Sequence, residues 1–267
     1  MQSTSGTWVE AEGRLLAVKE VATRHFRLDI LVPEVAVRAR PGQFAMVRCG
    51  ESLYPFLRRP LSFFDIDRGR GQVSFLVQVR GEGTAALVRR PPGQSVSMLA
   101  PLGNGFSLAA GRGVSPLLLV AGGVGVAPFP PAARVAREQG AEVVALVGAR
   151  RAADVVGVDE LGQTGARVKV ATEDGSTGIR GLVTDLLVDY LKGKGPVGML
   201  LACGPLPMLA RVKEIVAGRG FPAYVSLEQR MACGVGTCRG CAIPATGGGY
   251  RHVCQDGPVF PVEDVEL

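Results

Sequence analysis

The chain has little of what several large function classes need. It holds two histidines, His25 and His252, far apart and without a metal-ligand spacing, and a single tryptophan among 6% aromatic residues. No Ser-His-Asp grouping, paired-carboxylate motif or Walker loop occurs, so hydrolysis and phosphoryl transfer find no candidate residues, and no catalytic acid, base or nucleophile is assigned. The most apolar stretch, 117–131, contains three glycines and three prolines and falls short of the roughly 20 residues of a spanning helix, which argues against a membrane protein. Residues 1–6 lack a basic segment followed by an apolar one, so a cytoplasmic location is expected. The net charge is +6 and the pI about 9.2, yet the arginines form no long run with interleaved aromatics. That composition points away from nucleic acid and toward an acidic partner or anionic cofactors. No internal repeat, low-complexity tract or long linker is present.

What is present is an ordinary globular composition, 47% hydrophobic and 20% charged, with 37 glycines in 267 residues, enough for two domains and a small appendage. Short β-type runs at 14–18, 25–31, 43–48, 61–66, 72–79 and 95–98, with one helix near 84–90, predict an antiparallel barrel over 1–108. From 109 to 225 the rhythm changes. Buried strands at 117–121, 143–147, 168–171 and 199–202 alternate with helices at 130–139, 184–192 (Thr184 capping) and 207–217, which predicts a Rossmann-like, doubly wound parallel sheet. Residues 226–267 show little periodicity and read as a small irregular metal-bound module.

Four of the six cysteines lie in that module, as Cys233-Gly-Val-Gly-Thr-Cys238-Arg-Gly-Cys241 and Cys254. The C-x4-C-x2-C spacing with a distant fourth cysteine is that of plant-type 2Fe-2S ligands; the competing structural zinc sites show two separated pairs rather than three ligands on one loop. Gly234, Gly236 and Gly240 let the loop wrap closely, so that backbone amides reach the sulfurs. Thr237 and Arg239 either border an electron exit or simply face solvent, and His252 reads as structural.

Four further stretches carry chemistry. Arg58-Arg59-Pro60-Leu61-Ser62 pairs a guanidinium that can grip phosphate with a hydroxyl that can bond a cofactor ring, or else is a surface turn. Gly81-Glu-Gly83-Thr84 opens a helix and is either a pyrophosphate site or a helix cap. Gly122-Gly123-Val-Gly125-Val-Ala-Pro128 follows a buried strand and precedes a helix, the setting of a nucleotide-binding turn, although it ends in proline. Cys203-Gly204-Pro205 ends a parallel strand on the carboxyl edge, where ligands bind in open α/β sheets; a cysteine there is also often a small buried hydrophobe. Arg150 and Arg151 follow another strand and leave NADH versus NADPH open.

Taken in order, Arg59-Pro-Leu-Ser62, Gly83-Thr84, Gly122 to Pro128, Cys203-Gly-Pro205, Ser226 to Cys233 and Cys254-Gln-Asp-Gly-Pro-Val-Phe260 resemble the ferredoxin-reductase-like flavoproteins. Within them the chain resembles, over nearly its whole length, the electron-transfer subunits of type 1B dihydroorotate dehydrogenase. The resemblance implies an FAD-binding barrel (1–108), an NAD(P) domain (109–225) and a 2Fe-2S module (226–267). It places FAD at Arg59, Pro60, Leu61 and Ser62, at Leu76, Val77 and Gln78 (where the family often has Tyr-Arg) and at Gly83 and Thr84. Nucleotide contacts fall at Gly122, Gly123, Gly125, Cys203, Gly204 and Pro205, and cluster ligands at Cys233, Cys238, Cys241 and Cys254. It further implies NAD-linked oxidoreductase activity in pyrimidine biosynthesis and a partner subunit carrying FMN and the dihydroorotate site, in a heterotetramer of two of each. Electrons would run from that FMN through the cluster and FAD to NAD+. The alternatives are the small subunit of a ferredoxin:NADP reductase or sulfide dehydrogenase and, in another class, a non-catalytic zinc-stabilised binding module.

Overall fold

The computed structural model describes residues 8–50, 54–108, 116–193 and 197–267. Residue 109, the expected start of the nucleotide domain, lies outside them. The chain divides into two compact units, one comprising Met1–Phe106, Glu228–Ile243 and Arg251–Pro258, the other Ser107–Leu227, Pro244–Tyr250 and Val259–Leu267.

The first unit is built on a closed barrel of β1 (Val9–Ala22), β2 (His25–Leu31), β3 (Phe44–Val47), β4 (Arg59–Asp67), β5 (Gln72–Gln78) and β6 (Ser95–Leu102), in the order β1-β2-β5-β4-β3-β6. All six expected strands are there; β1, β4 and β6 run longer than expected, β2 has the expected bounds, and β3 and β5 are slightly shorter. A short α1 (Pro33–Ala36) follows β2, and α2 (Glu82–Val88) fills the expected helical position. Alternation along each strand sends Leu28, Ile30, Ala45, Val47, Phe63, Phe75 and Val77 into one core, with Phe63 and Phe75 stacked at 5.4 Å.

The second unit is a seven-stranded sheet of β7 (Leu117–Gly122), β8 (Val143–Ala149), β9 (Arg167–Thr172), β10 (Ile179–Arg180), β11 (Met199–Cys203), β12 (Ala223–Ser226) and β15 (Val259–Pro261), ordered β10-β9-β8-β7-β11-β12-β15. Its helices are α3 (Phe129–Glu138), α4 (Val158–Gln163), α5 (Val183–Lys192) and α6 (Leu206–Val216), the last burying Leu209, Val212, Ile215 and Val216 as their spacing requires. Thr184 is not the cap of α5. Leu182 holds that position, Asp185 Oδ2 accepts its N–H at 2.8 Å, and Thr184 is buried instead.

The C-terminal stretch is less irregular than its sequence implies. β13 (Ala242–Pro244) and β14 (Tyr250–His252) form a two-stranded sheet, and β15 pairs antiparallel with β12, closing the edge of an otherwise parallel sheet. Among the described residues no helix is long and apolar enough to cross a membrane.

Candidate functional site

The four cysteines of the C-terminal loop lie in the first unit, on the outer surface of the barrel. Two glycines explain the close approach. A Cβ on Gly234, at φ +75°, would strike the Met46 side chain, with its sulfur at 3.1 Å, and would meet Leu102 at 3.2 Å; one on Gly236, at φ +85°, would meet Gln255 Oε1 at 2.6 Å. Met46 alternates out of the barrel core, yet is fully buried, because the cysteine loop covers it.

The thiols fall into two pairs. Cys241 and Cys254 are buried with their sulfurs 3.3 Å apart; Cys233, half-buried, is hydrogen-bonded to the exposed Cys238. Backbone amides converge on them: Val235 and Cys238 N–H donate to Cys233 Sγ at 3.4 Å, Gly236 to Cys254 at 3.2 Å, Gly240 to Cys238 at 3.5 Å and Cys254 to Cys241 at 3.4 Å. Burial pushes the Cys233 thiol up, but the amides around it outweigh that and bring it down to about 7. Cys254 is pushed up to about 12 by burial and by the neighbouring Cys241 thiol. Among the described residues no three of His, Cys, Asp and Glu converge as a single-ion site needs. Thiols paired two and two, each sulfur receiving an N–H, fit a two-iron cluster held by four thiolates, with the amides tuning its potential.

Asn104, which sequence reasoning missed, fastens the segment after Cys254. Its amide Nδ2 donates to the carbonyls of Gln255 and Asp256 at 3.1 Å each, and its backbone N–H donates to Gly257 at 2.6 Å. His252 sits beside Asp256: its backbone N–H donates to Asp256 Oδ2 at 2.6 Å, and its imidazole Nδ1 lies 3.7 Å from the same oxygen. Asn104→Ala is expected to lose about 1 kcal/mol of anchoring, and so to speed release of iron to a chelator about 5- to 10-fold. Absorbance decay at constant flavin content measures this.

On the barrel, Phe44 pairs with Ser62 and Met46 with Pro60, so these four side chains share the outer face, while Leu61 packs against the core. The Ser62 position and the cysteine loop therefore sit on one face of the β3–β4 ribbon. Arg59 reaches a different neighbour. Its guanidinium lies against Gly83, where a Cβ would come within 2.8 Å of Nη2, so only glycine at the start of α2 leaves it in place. Thr84 Oγ1 donates to Gly81 O at 3.0 Å and accepts from the Arg80 amide at 3.1 Å, capping α2. On β5 Val77 points into the core and offers only backbone, while Leu76 and Gln78 alternate to the other side.

In the second unit β7 is the switch strand: β8 to β10 lie on one side of it, β11 and β12 on the other. Ligands of open α/β sheets bind outside the carboxyl ends at such a point. Both expected nucleotide segments meet there, since Cys203 pairs with Ala121 and the two turns are in backbone contact. A Cβ on Gly122 would come within 2.6 Å of Met208 Sδ, and one on Gly204 within 3.0 Å of the Gly122 nitrogen. Gly125 lies flat on the Cys203 carbonyl. Cys203 itself is buried, Gly123 is open at φ +54°, and Pro205 begins the turn into α6.

A closed antiparallel barrel, a parallel sheet with a glycine turn at its switch point and a four-thiol loop define a ferredoxin-reductase-like oxidoreductase. The description "Iron-sulfur cluster binding domain of dihydroorotate dehydrogenase B" matches residues 228–266, and "Oxidoreductase NAD-binding domain" matches 119–214. The chain is 41% identical over 249 residues to the dihydroorotate dehydrogenase B (NAD(+)) electron transfer subunit of Bacillus caldolyticus, covering 92% of this chain and 95% of that one. It is 40% identical to the subunit of the same name from Shouchella clausii, covering 96% and 98%. Among solved structures it is similar to a chain of an NADH-dependent reduced ferredoxin-NADP oxidoreductase, with 30% identity, a TM-score of 0.82 and coverage of 98% and 91%. The chain belongs to the family of electron transfer subunits of dihydroorotate dehydrogenase B, whose name implies a separate catalytic subunit as partner.

Proposed function

We propose that this chain links dihydroorotate oxidation on an FMN-containing partner subunit to reduction of NAD+, in pyrimidine biosynthesis, within an assembly of two of each subunit. The observation that carries the reading is the pairing of Cys233 with Cys238 and Cys241 with Cys254 on the barrel face that also bears Ser62. The cofactor set is FAD, a 2Fe-2S cluster and NAD. When bound, the cluster supplies one-electron and the flavin both one- and two-electron chemistry, which is what joining a partner's flavin to a hydride acceptor requires.

The residues divide that work. Arg59 and the start of α2 hold the flavin's phosphates; Ser62 bonds its ring, with Pro60, Leu61, Leu76, Val77, Gln78 and Thr84 shaping the site. Gly122, Gly123, Gly125, Cys203, Gly204 and Pro205 form the crevice for the nicotinamide nucleotide. The exposed Cys238 edge is the docking side for the partner. In this reading 1–108 carries flavin, 109–225 nucleotide and 226–267 the cluster.

Gly83→Ala is expected to displace the Arg59 guanidinium and weaken FAD binding about 10- to 100-fold, the size of one charge-assisted contact. Flavin retained on gel filtration measures it. For the reading as a whole, the absorption spectrum of anaerobically purified protein is decisive. Flavin bands over a broad cluster absorbance support it; a colourless, zinc-loaded protein rules it out in favour of a binding module. The small subunit of a ferredoxin:NADP reductase is the second reading, favoured by the structural likeness above, and it differs in the partner.

A further inference from the structure

We infer that Met46 is a positioning residue of the electron relay: its side chain seats the cysteine loop on the strand pair that carries Ser62, and so holds the amide–sulfur bonds that set the cluster's potential. This rests on the four thiols holding a two-iron cluster. Met46 belongs to β3, where alternation sends Ala45 and Val47 into the barrel core and turns Met46 outward. An outward methionine on a barrel strand would ordinarily meet solvent, yet Met46 is 0% exposed. Gly234 covers it. A Cβ there would overlap Met46 Cγ and lie 3.1 Å from its sulfur and 3.2 Å from Leu102 Cδ1, so the loop backbone rests directly on the thioether. An unbranched, adaptable side chain is suited to filling so irregular a gap.

On the barrel side, Pro60 stands opposite Met46 and Ser62 opposite Phe44, all on the outer face of the β3–β4 ribbon. Cross-strand partners have Cβ atoms about 4.5–5.5 Å apart, so Met46 meets the strand of Arg59 and Ser62 and the cysteine loop at once. On the loop side, Cys233 immediately precedes Gly234, and Val235, Gly236 and Cys238 follow it within four positions. The Val235 and Cys238 amides donate to Cys233 Sγ at 3.4 Å, and the Gly236 amide donates to Cys254 Sγ at 3.2 Å. Such bonds favour the reduced, more negative cluster and therefore raise its potential. A displaced Gly234 would carry these donors with it and weaken all of them. Leu102 and Pro60 bound the space that Met46 fills, and both are apolar. A gap left by truncating Met46 therefore stays dry, and the effect falls on the amide bonds rather than on solvent access.

The test compares the wild type with Met46→Ala and Met46→Leu, purified anaerobically, by iron release to a chelator, the midpoint potential from an EPR-monitored titration, and NADH-to-ferricyanide activity. Met46→Ala is expected to speed iron release about 10- to 100-fold, the size of losing a support behind metal ligands, and to lower the midpoint potential. Met46→Leu, which nearly keeps the volume, should hold release within about threefold of wild type and leave the potential at the wild-type value. NADH-to-ferricyanide activity, which uses none of the cysteines, should stay within about twofold in both variants. Unchanged release, or an unchanged or raised potential, in Met46→Ala overturns the inference. Equal loss of flavin and cluster in both variants also overturns it, because Met46 would then support only the barrel. Should Met46→Ala purify without a cluster, Met46→Val is read by the same criteria. A wild-type protein that holds zinc and no iron-sulfur cluster overturns the cluster reading and the inference together.

Discussion

Cys238→Ser is expected to abolish the cluster's absorbance and the low-temperature EPR signal of its reduced form, and to cut partner-coupled electron transfer by at least about 100-fold, while NADH-to-ferricyanide activity stays within about threefold of wild type. Cys238 is the exposed member of its pair, and its own amide donates to Cys233 Sγ, so the substitution removes one of the four proposed soft ligands at the rim without opening the barrel. The residues proposed to hold the flavin stand on β4, β5 and α2, whereas the loop rests on Met46 and Leu102. A route from NADH through FAD to a dye needs none of the cysteines. Equal loss of both activities would contradict this division of labour.

Gly125→Ala is expected to have the opposite profile. The new methyl would overlap the Cys203 carbonyl group, whose carbon would lie 2.6 Å from it, with the Gly204 Cα at 2.8 Å. These are backbone atoms at the carboxyl end of β11, which is held by its pairing with β7, so they cannot swing aside as a side chain can. Overpacking of this kind costs about 1–3 kcal/mol, and here the strain falls on the two turns that frame the nucleotide crevice. NADH oxidation by any acceptor should drop by about 5- to 150-fold, while flavin content and the cluster spectrum persist in the other unit. Unchanged KM and kcat for NADH would remove the Gly125–Cys203 contact from the site.

These contrasts also mark what the sequence made legible. The barrel strands announced themselves by period-2 alternation, and the parallel sheet by apolar runs followed by glycine turns. The cysteine spacing pointed to a two-iron cluster because loop ligation is local in sequence. What stayed hidden is non-local. Asn104 reads as a turn residue, and only the fold brings it to Gln255 and Asp256. Met46 looks like an ordinary core residue, yet it alternates outward and is buried by a segment almost 190 positions away, at Gly234. β15 is three residues long and becomes a strand only because β12 offers it an edge. Thr184 was a reasonable cap by residue type, but Asp185, one position later, reaches the Leu182 amide better. The contact between Arg59 and Gly83 joins two short motifs, each ambiguous alone, and gives both one physical reason for their residue types.

The central claim is that this chain carries electrons from dihydroorotate, oxidised on its partner, to NAD+. It is tested most directly by mixing the FAD- and cluster-loaded protein with an FMN-containing dihydroorotate dehydrogenase subunit and following NADH formation at 340 nm on addition of dihydroorotate. Dihydroorotate-dependent NAD+ reduction that requires both proteins, and that disappears with Cys238→Ser, is the expected result. A pair that oxidises dihydroorotate with a dye but never reduces NAD+ would contradict the account.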